Sequence, residues 1–192
     1  PSEKIIQLKG TSNYGCVGSI QQQVTVYPEV TAQFTQDKTQ GCSPLEIRFT
    51  NESTGFDSIA WNFDNGFTSQ SQYPIELFLN ASSTDSALYH VQLIAKTDWC
   101  ADTATVAIEV HPAPKAMFWV APFENCSPVT IHISDSSQGI SQYYWEFGDQ
   151  QTSSDPGPEI EHTYPGPLLP TSYNLRLTGE NDFGCQSSQN MP

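Results

Sequence analysis

Residues Tyr143–Ser153 read YYWEFGDQQTS, and Ser58–Ser69 read SIAWNFDNGFTS. Each holds Trp-x-Phe followed by small polar residues and a glycine. Side chains at i and i+2 of a strand leave by the same face, so Trp61 with Phe63, and Trp145 with Phe147, are expected to enter a core as pairs. Burying each ring contributes roughly 1.5–3 kcal/mol. A catalytic use would need the carboxylates in both copies, yet Glu146 and Asp149 stand where the first copy has Asn62 and Asn65. The motif therefore reads as architecture. Gly148-Asp149 and Asn65-Gly66 are the expected positive-φ residues of a hairpin bend.

The two copies lie 84 residues apart, and the register extends well beyond them. Phe34 maps to Phe118, Cys42 to Cys126, Ser43-Pro44 to Ser127-Pro128, Tyr89 to Tyr173 and Pro28 to Pro112. Cys16 maps to Cys100 at the same offset, and Cys100 to Cys185 at one residue more. A period this long means whole domains in series. Residues 1–28 are expected to be the last two strands of a preceding repeat, 29–112 a complete repeat, and 113–192 a second that stops within its final strand. On this reading the chain is a slice of a longer array.

Within the complete repeat the expected strands are VTAQFTQD, LEIRFTN, SIAWNF, a short FTSQ, IELFLN, ALYHVQLIAK and TATVAIEV. Alternation puts Tyr89, Val91, Leu93 and Ala95, and likewise Val106, Ile108 and Val110, on an inward face. Helix-period stripes are missing. Seven short antiparallel strands at this spacing predict an all-β chain of tandem immunoglobulin-like sandwiches, with Tyr89 and Tyr173 counted in the two cores.

The net charge is −14 on seven Lys and Arg. Such a surface repels nucleic acid and anionic membranes. No apolar run approaches the roughly 20 residues that span a bilayer, so membrane insertion is not expected. The many Ser, Thr, Asn and Gln beside few Lys suit a secreted protein.

Trp145-Glu146-Phe147-Gly148-Asp149, Thr152-Ser153, His162-Thr163-Tyr164, Tyr173-Asn174-Leu175-Arg176-Leu177 and Asn181-Asp182-Phe183-Gly184 together resemble the polycystic kidney disease (PKD) domain. The earlier repeat departs further, with Pro74 through Phe78 replacing the His-x-Tyr segment. Gly-Cys-Ser-Pro or Asn-Cys-Ser-Pro before the second strand resembles PKD arrays in large Bacteroidetes surface proteins, among them gliding-motility adhesins and other type IX secretion cargo. The resemblance implies a non-catalytic, extracellular role.

Five cysteines leave one over in any pairing. One option is bonding within repeats, Cys42–Cys100 and Cys126–Cys185, with Cys16 left over. Sandwich topology weighs against it: Cys42, placed in the turn before the second strand, and Cys100, in the last hairpin turn, would lie at opposite ends, over about 20 Å apart, where a disulfide permits about 4.4–6.8 Å between Cα atoms. The other option pairs Cys42 with Cys185 across a junction of repeats and leaves Cys16, Cys100 and Cys126 for neighbours. Both remain open at this point. Zinc is not expected, since no C-x-x-C or Cys/His cluster occurs.

The histidines at 90, 111, 132 and 162 are scattered, none recurs in the other repeat, and no nucleophile or phosphate-loop motif appears. No enzyme activity and no cofactor are expected. Asp135, Glu146, Asp149 and Asp155 could hold a structural Ca²⁺, although no D-x-D-x-D-G loop occurs and dispersed acids ordinarily keep a surface soluble. Trp99 and Trp119, with Phe123 and Tyr143, are candidate glycan contacts, and packing between neighbouring repeats is the competing role for the two tryptophans. Asp57-Ser58-Ile59, Asp85-Ser86-Ala87 and Asp102-Thr103-Ala104 resemble the Bacteroidetes O-glycosylation signal, making Ser58, Ser86 and Thr103 candidate sugar carriers. Sequons of the N-x-S type start at Asn51, Asn80 and Asn125.

The expected function is a spacer in a long cell-surface adhesin-like protein. Its expected partners are neighbouring PKD repeats, with surface glycans or other cell-surface proteins beyond them. The alternative is a carbohydrate- or protein-binding accessory module of a secreted hydrolase.

Overall fold

The structure, a computed structural model, describes residues 1–122, 126, 128–166 and 171–191. Its described residues form strands and no helix. The strands are β1 (Ser2–Thr11), β2 (Val17–Val26), β3 (Phe34–Gln36), β4 (Gln40–Cys42), β5 (Leu45–Asn51), β6 (Ser58–Asn62), β7 (Thr68–Ser69), β8 (Ile75–Phe78), β9 (Ala87–Lys96) and β10 (Ala101–His111). There follow β11 (Phe118–Ala121), β12 (Val129–Asp135), β13 (Gln142–Glu146), β14 (Thr152–Ser153), β15 (Glu159–Tyr164), β16 (Leu175–Glu180) and β17 (Gln186–Met191).

Residues 34–111 supply one pair of sheets, ordered β3-β5-β8 and β4-β10-β9-β6-β7. Residues 118–191 supply another, β11-β12-β15 and β14-β13-β16-β17. The fold is thus all-β, a tandem of immunoglobulin-like sandwiches. The β1–β2 hairpin makes a two-stranded sheet of its own.

Residue proximity divides the chain into two compact units, with a border that crosses β5, β8, β9 and β10. The first comprises Pro1–Asp37, Arg48–Ile75 and His90–Val106. Trp61 is its centre: Phe34 and Phe49 pack on the indole at ring distances of 5.0 and 5.5 Å, and Phe63 stacks alongside. Trp61 and Phe63 are each 1% exposed. Val91, Leu93 and Ala95 of β9 are buried in the same unit, following the alternation read from the sequence, as are Val30 and Ile59.

The second unit comprises Lys38–Ile47, Glu76–Tyr89 and Ala107–Pro192. Its larger core gathers Phe118, Ile131, Ile133, Trp145, Phe147, Ile160, Tyr164, Leu175 and Leu177, all buried. Here too the i, i+2 pair points inward, and the indole N–H is satisfied as it is in the other copy. Trp145 Nε1 donates to the Asp155 carbonyl at 3.2 Å and Trp61 Nε1 to the Ser71 carbonyl at 2.9 Å, 84 residues apart.

Three local expectations are corrected. The left-handed residues of the bends are Asp64 and Gly66 in one copy, and Gly148 and Gln150 in the other. Asn65 and Asp149 instead turn their side chains back onto the chain, accepting from the amides of Phe67 (3.1 Å) and Gln151 (3.0 Å). Cys42 ends strand β4, which runs parallel to the end of β10 with Cys42 opposite His111; it does not sit in a turn. Tyr89 and Tyr173 are half-buried at the margin of their cores, because a phenol that packs its ring still needs a partner for its hydroxyl, and Tyr89 donates to the Leu79 carbonyl.

Candidate functional site

The turn between β16 and β17 is built around Asn181, which is 6% exposed. Its side-chain oxygen accepts from the amides of Phe183 (3.1 Å) and Cys185 (3.0 Å), and its Nδ2 donates to the Pro112 carbonyl (3.0 Å). Gly184 takes φ +79° to close the bend. The turn thereby presents two groups: the Phe183 ring, stacked on His111 at 4.6 Å and 13°, and the Cys185 sulfur, bonded to Cys42 with Cα atoms 5.7 Å apart. His111 is also held by the Ser86 hydroxyl, 3.0 Å from Nδ1. This clasp lies within the second compact unit, and it joins residues 143 apart in sequence.

Neither within-repeat pairing is formed. Along β10, Cys100 precedes Ala101 while Cys42 faces His111 at the far end, a separation of about 33 Å at strand rise. Cys100 is half-buried, and Cys16 and Cys126 are exposed.

A second cluster occupies the His-x-Tyr segment. His162 and Asp149 are 8% and 9% exposed in their side chains and meet at 2.9 Å, Nε2 to Oδ2. Phe147 stacks flat on the imidazole at 4.0 Å, Tyr164 donates to the Phe147 carbonyl at 2.8 Å, and Tyr173 stacks on Tyr164. Burial alone would push the Asp149 carboxyl up. The hydrogen bonds from the Gln151 amide and the His162 ring outweigh it and hold the group below the usual carboxylate range. Burial, then the Asp149 charge, then Tyr173, push the Tyr164 phenol up to about 12. Phe147 and Tyr164 pack on the His162 ring from two directions, and the Asp149 carboxylate is taken up by His162 and by the Gln151 amide and side chain. It braces the sandwich, and Phe78 fills the place of His162 in the first repeat.

The remaining candidates are dispersed. Asp135 is tied to Ser137 (2.6 Å), Asp155 accepts from the Gly157 amide (2.9 Å), and Glu146 faces Arg176 across 3.9 Å in a groove shared with Gly148, Asn174 and Asn190. Among the described residues no group of three or more His, Cys, Asp or Glu is placed to hold a metal ion. Trp99 is 68% exposed and stacks on Tyr27 at 4.7 Å and 12°. Trp119 points outward from β11 at 66% exposure. Tyr143 is not a platform: it is half-buried, and burial followed by the Asp135 charge raises its phenol. Phe123 and Asn125 lie outside the described residues. Ser58 and Thr103 are exposed on strands β6 and β10, whereas Ser86 is half-buried and engaged with His111.

Asn181, named only within the PKD-like segment, and His111, named only among scattered histidines, were not read as the cap and the ring seat of the clasp. Their available signal was position: each lies a fixed distance from a cysteine or proline that the repeat had already marked.

The class that these features define is the tandem immunoglobulin-like β-sandwich, here with a disulfide and a ring stack inside the second compact unit. A family model described as PKD domain matches residues 111–191. Among solved structures, the N-terminal eight Ig domains of the Down Syndrome Cell Adhesion Molecule superpose with TM-score 0.55 at 16% identity, covering 99% of this chain and 27% of that one. At that identity the likeness is one of fold. Fibronectin(III)-like modules of Clostridium thermocellum CbhA give TM-score 0.36 at 11% identity, covering 82% of this chain and 91% of that one. The amphioxus IgVJ-C2 molecule gives 0.34 at 12% identity, with 79% and 97% covered. No curated protein matches the chain.

Proposed function

We propose that this chain is a non-catalytic spacer, part of the stalk of a long, secreted, cell-surface adhesin-like protein. On this reading it carries repeats at 29–112 and 113–192, preceded at 1–28 by the closing strands of another. The observation that carries the proposal is the Cys42–Cys185 bond together with the Phe183–His111 stack. Both tie a turn of one sequence repeat to residues of the repeat before it, Cys42 on β4 and His111 opposite it at the end of β10. Short linkers with proline, Tyr27-Pro28-Glu29 before the first repeat and His111-Pro112-Ala113-Pro114 beside this clasp, restrict backbone freedom. A disulfide suits an oxidising, extracellular setting. The Gly-Cys-Ser-Pro flavour of the repeats favours a Bacteroidetes source, with type IX secretion and gliding-motility adhesins as the context.

A second reading, the accessory module of a secreted hydrolase, is favoured by the exposed indole of Trp119. Pull-down on insoluble polysaccharides and a glycan array separate the two. The spacer predicts blanks, whereas binding that is lost in Trp119→Ala or Trp99→Ala establishes the module. The spacer also needs no cofactor, so its melting curve should coincide in chelator and in millimolar calcium; a calcium-dependent rise would assign a structural ion.

A further inference from the structure

We propose that Cys100 is half of a second disulfide clasp, closed by a cysteine standing, in a repeat that ends with β1 and β2, where Cys42 stands in the next. The inference rests on the array reading above and names the partner at its first junction.

Three turns share one construction. Ser12, Thr97 and Asn181 each turn a side-chain oxygen onto two amides: those of Tyr14 and Cys16 (3.3 and 3.2 Å), Trp99 and Cys100 (3.2 and 3.0 Å), and Phe183 and Cys185. In each the chain also closes between that first residue's amide and the cysteine carbonyl, at 2.8–3.0 Å. Each turn therefore offers one aromatic ring and, beside it, one sulfur. At Phe183 both are used. At Trp99 the ring is used in the same way: it stacks on Tyr27 at 4.7 Å and 12°, as Phe183 does on His111 at 4.6 Å and 13°. Tyr27 and His111 are themselves equivalent, each preceding the linker proline 84 residues apart.

That equivalence locates the missing sulfur. His111 pairs with Cys42 across β10 and β4, so the seat of the ring and the bonded cysteine are neighbours on adjacent strands. Tyr27 follows β2, and among the described residues β2 pairs with β1 alone. The strand that should carry a cysteine beside Tyr27 belongs to the rest of that repeat. The hairpin itself calls for such a cover. Counted back from Ser12, Thr97 and Asn181, the first residues of the three turns, Ile6, Leu8 and Gly10 align with Val91, Leu93 and Ala95 and with Leu175, Leu177 and Gly179, which are all buried, yet Ile6 and Leu8 are 61% and 69% exposed. A repeat of the same kind, with a Cys-Ser-Pro before its second strand, covers these residues and supplies the thiol. Closure joins the two sulfurs with loss of two protons and two electrons to a disulfide-bearing oxidoreductase, which leaves as its dithiol.

The test is non-reducing peptide mapping of the polypeptide at its natural length. The expected result is one linked peptide joining Thr97–Lys115 to a Cys-Ser-Pro segment encoded ahead of Pro1, lost completely in Cys100→Ser, alongside Cys42–Cys185. Cys100 recovered as an alkylated thiol, or bonded to Cys16 or Cys126, overturns the clasp. Absence of Cys42–Cys185 as well overturns the array reading. A second arm places a copy of residues 29–86, mass-marked by Glu46→Asp, in front of Ser2. Cys100 should bond the marked peptide, and amides of β1 and β2 should gain exchange protection. Protection with a free Cys100 thiol sinks the clasp alone; failure of protection sinks both.

Discussion

Gln150 holds φ at 74° in the bend where the other repeat has Gly66 at 91°, and Asp64 holds 61° where the second repeat has Gly148 at 81°. Each bend thus uses two left-handed residues and spends a glycine on one of them. For a residue with a Cβ that conformation costs roughly 1–2 kcal/mol, and a glycine's added freedom in the unfolded chain returns about 0.4–1 kcal/mol. Gln150→Gly should therefore raise stability by about 0.5–1 kcal/mol, read as a higher urea midpoint. Gly148→Ala should lower it, because a Cβ there would stand 2.7 Å from the Asn174 carbonyl oxygen. That the bend was structural could be read from the loss of both carboxylates in the first copy. Which residues are left-handed could not, since Asn, Asp and Gly share that tolerance and only the Asx hydrogen bonds of Asn65 and Asp149 separate them. Asp149 also fixes an acid response. Its carboxyl titrates lower when folded, so its contribution is complete above the ordinary carboxylate range and is lost as pH falls through the depressed folded value. Asp149→Asn should flatten the acid limb of a stability-against-pH curve below about pH 4, measured by thermal melts; an unchanged limb would refute the assignment.

The element that organises the clasp is the β16–β17 turn, and Asn181 is its keystone. Asn181→Ala leaves the Phe183 and Cys185 amides and the Pro112 carbonyl without their partner, the last two of these bonds being buried. Leaving a buried polar group unpaired costs about 1–3 kcal/mol, and a loss in that range is expected by chemical denaturation. Asn181→Ser should recover part of it, since Ser12 and Thr97 hold the same two amides with a hydroxyl, but cannot restore the bond to Pro112. Exchange rates at the Phe183 and Cys185 amides distinguish the two variants. The long strands of these hairpins were legible because alternation over eight to ten residues leaves little ambiguity about which face is buried. Strand β4 was not. Three residues, one of them a glycine, carry no periodicity, and its parallel pairing is set by the distant end of β10. Reading Cys42 as a turn residue was the consequence.

For the whole chain, an 84-residue register in Trp, Cys and Pro carried most of the fold, because rare residues in one frame specify a repeated core without any structure. It did not carry the cysteine pairing. Two connectivities fit the same spacing, and the choice turns on where β4 ends, which no local pattern encodes. The bond chosen has a global consequence. Cys42 and Cys185 enclose 143 residues of sequence separation, including the linker and almost all of the second repeat. When that repeat unfolds while the first stays folded, its chain remains tethered at Pro112 and at Cys185, and the unfolded ensemble loses loop freedom. Disulfides typically contribute about 2–4 kcal/mol, and more as the closed loop lengthens. The double variant Cys42→Ser/Cys185→Ser should therefore melt lower than the oxidised parent. Full reduction of the parent should reproduce most of that shift, and the transition of the second repeat, followed by exchange at Leu177 and Ile133, should move most. If the unfolded second repeat gains no freedom when the bond is removed, the clasp is ornamental and the melts will coincide; a depressed transition confined to that repeat establishes the bond as the tether that limits it.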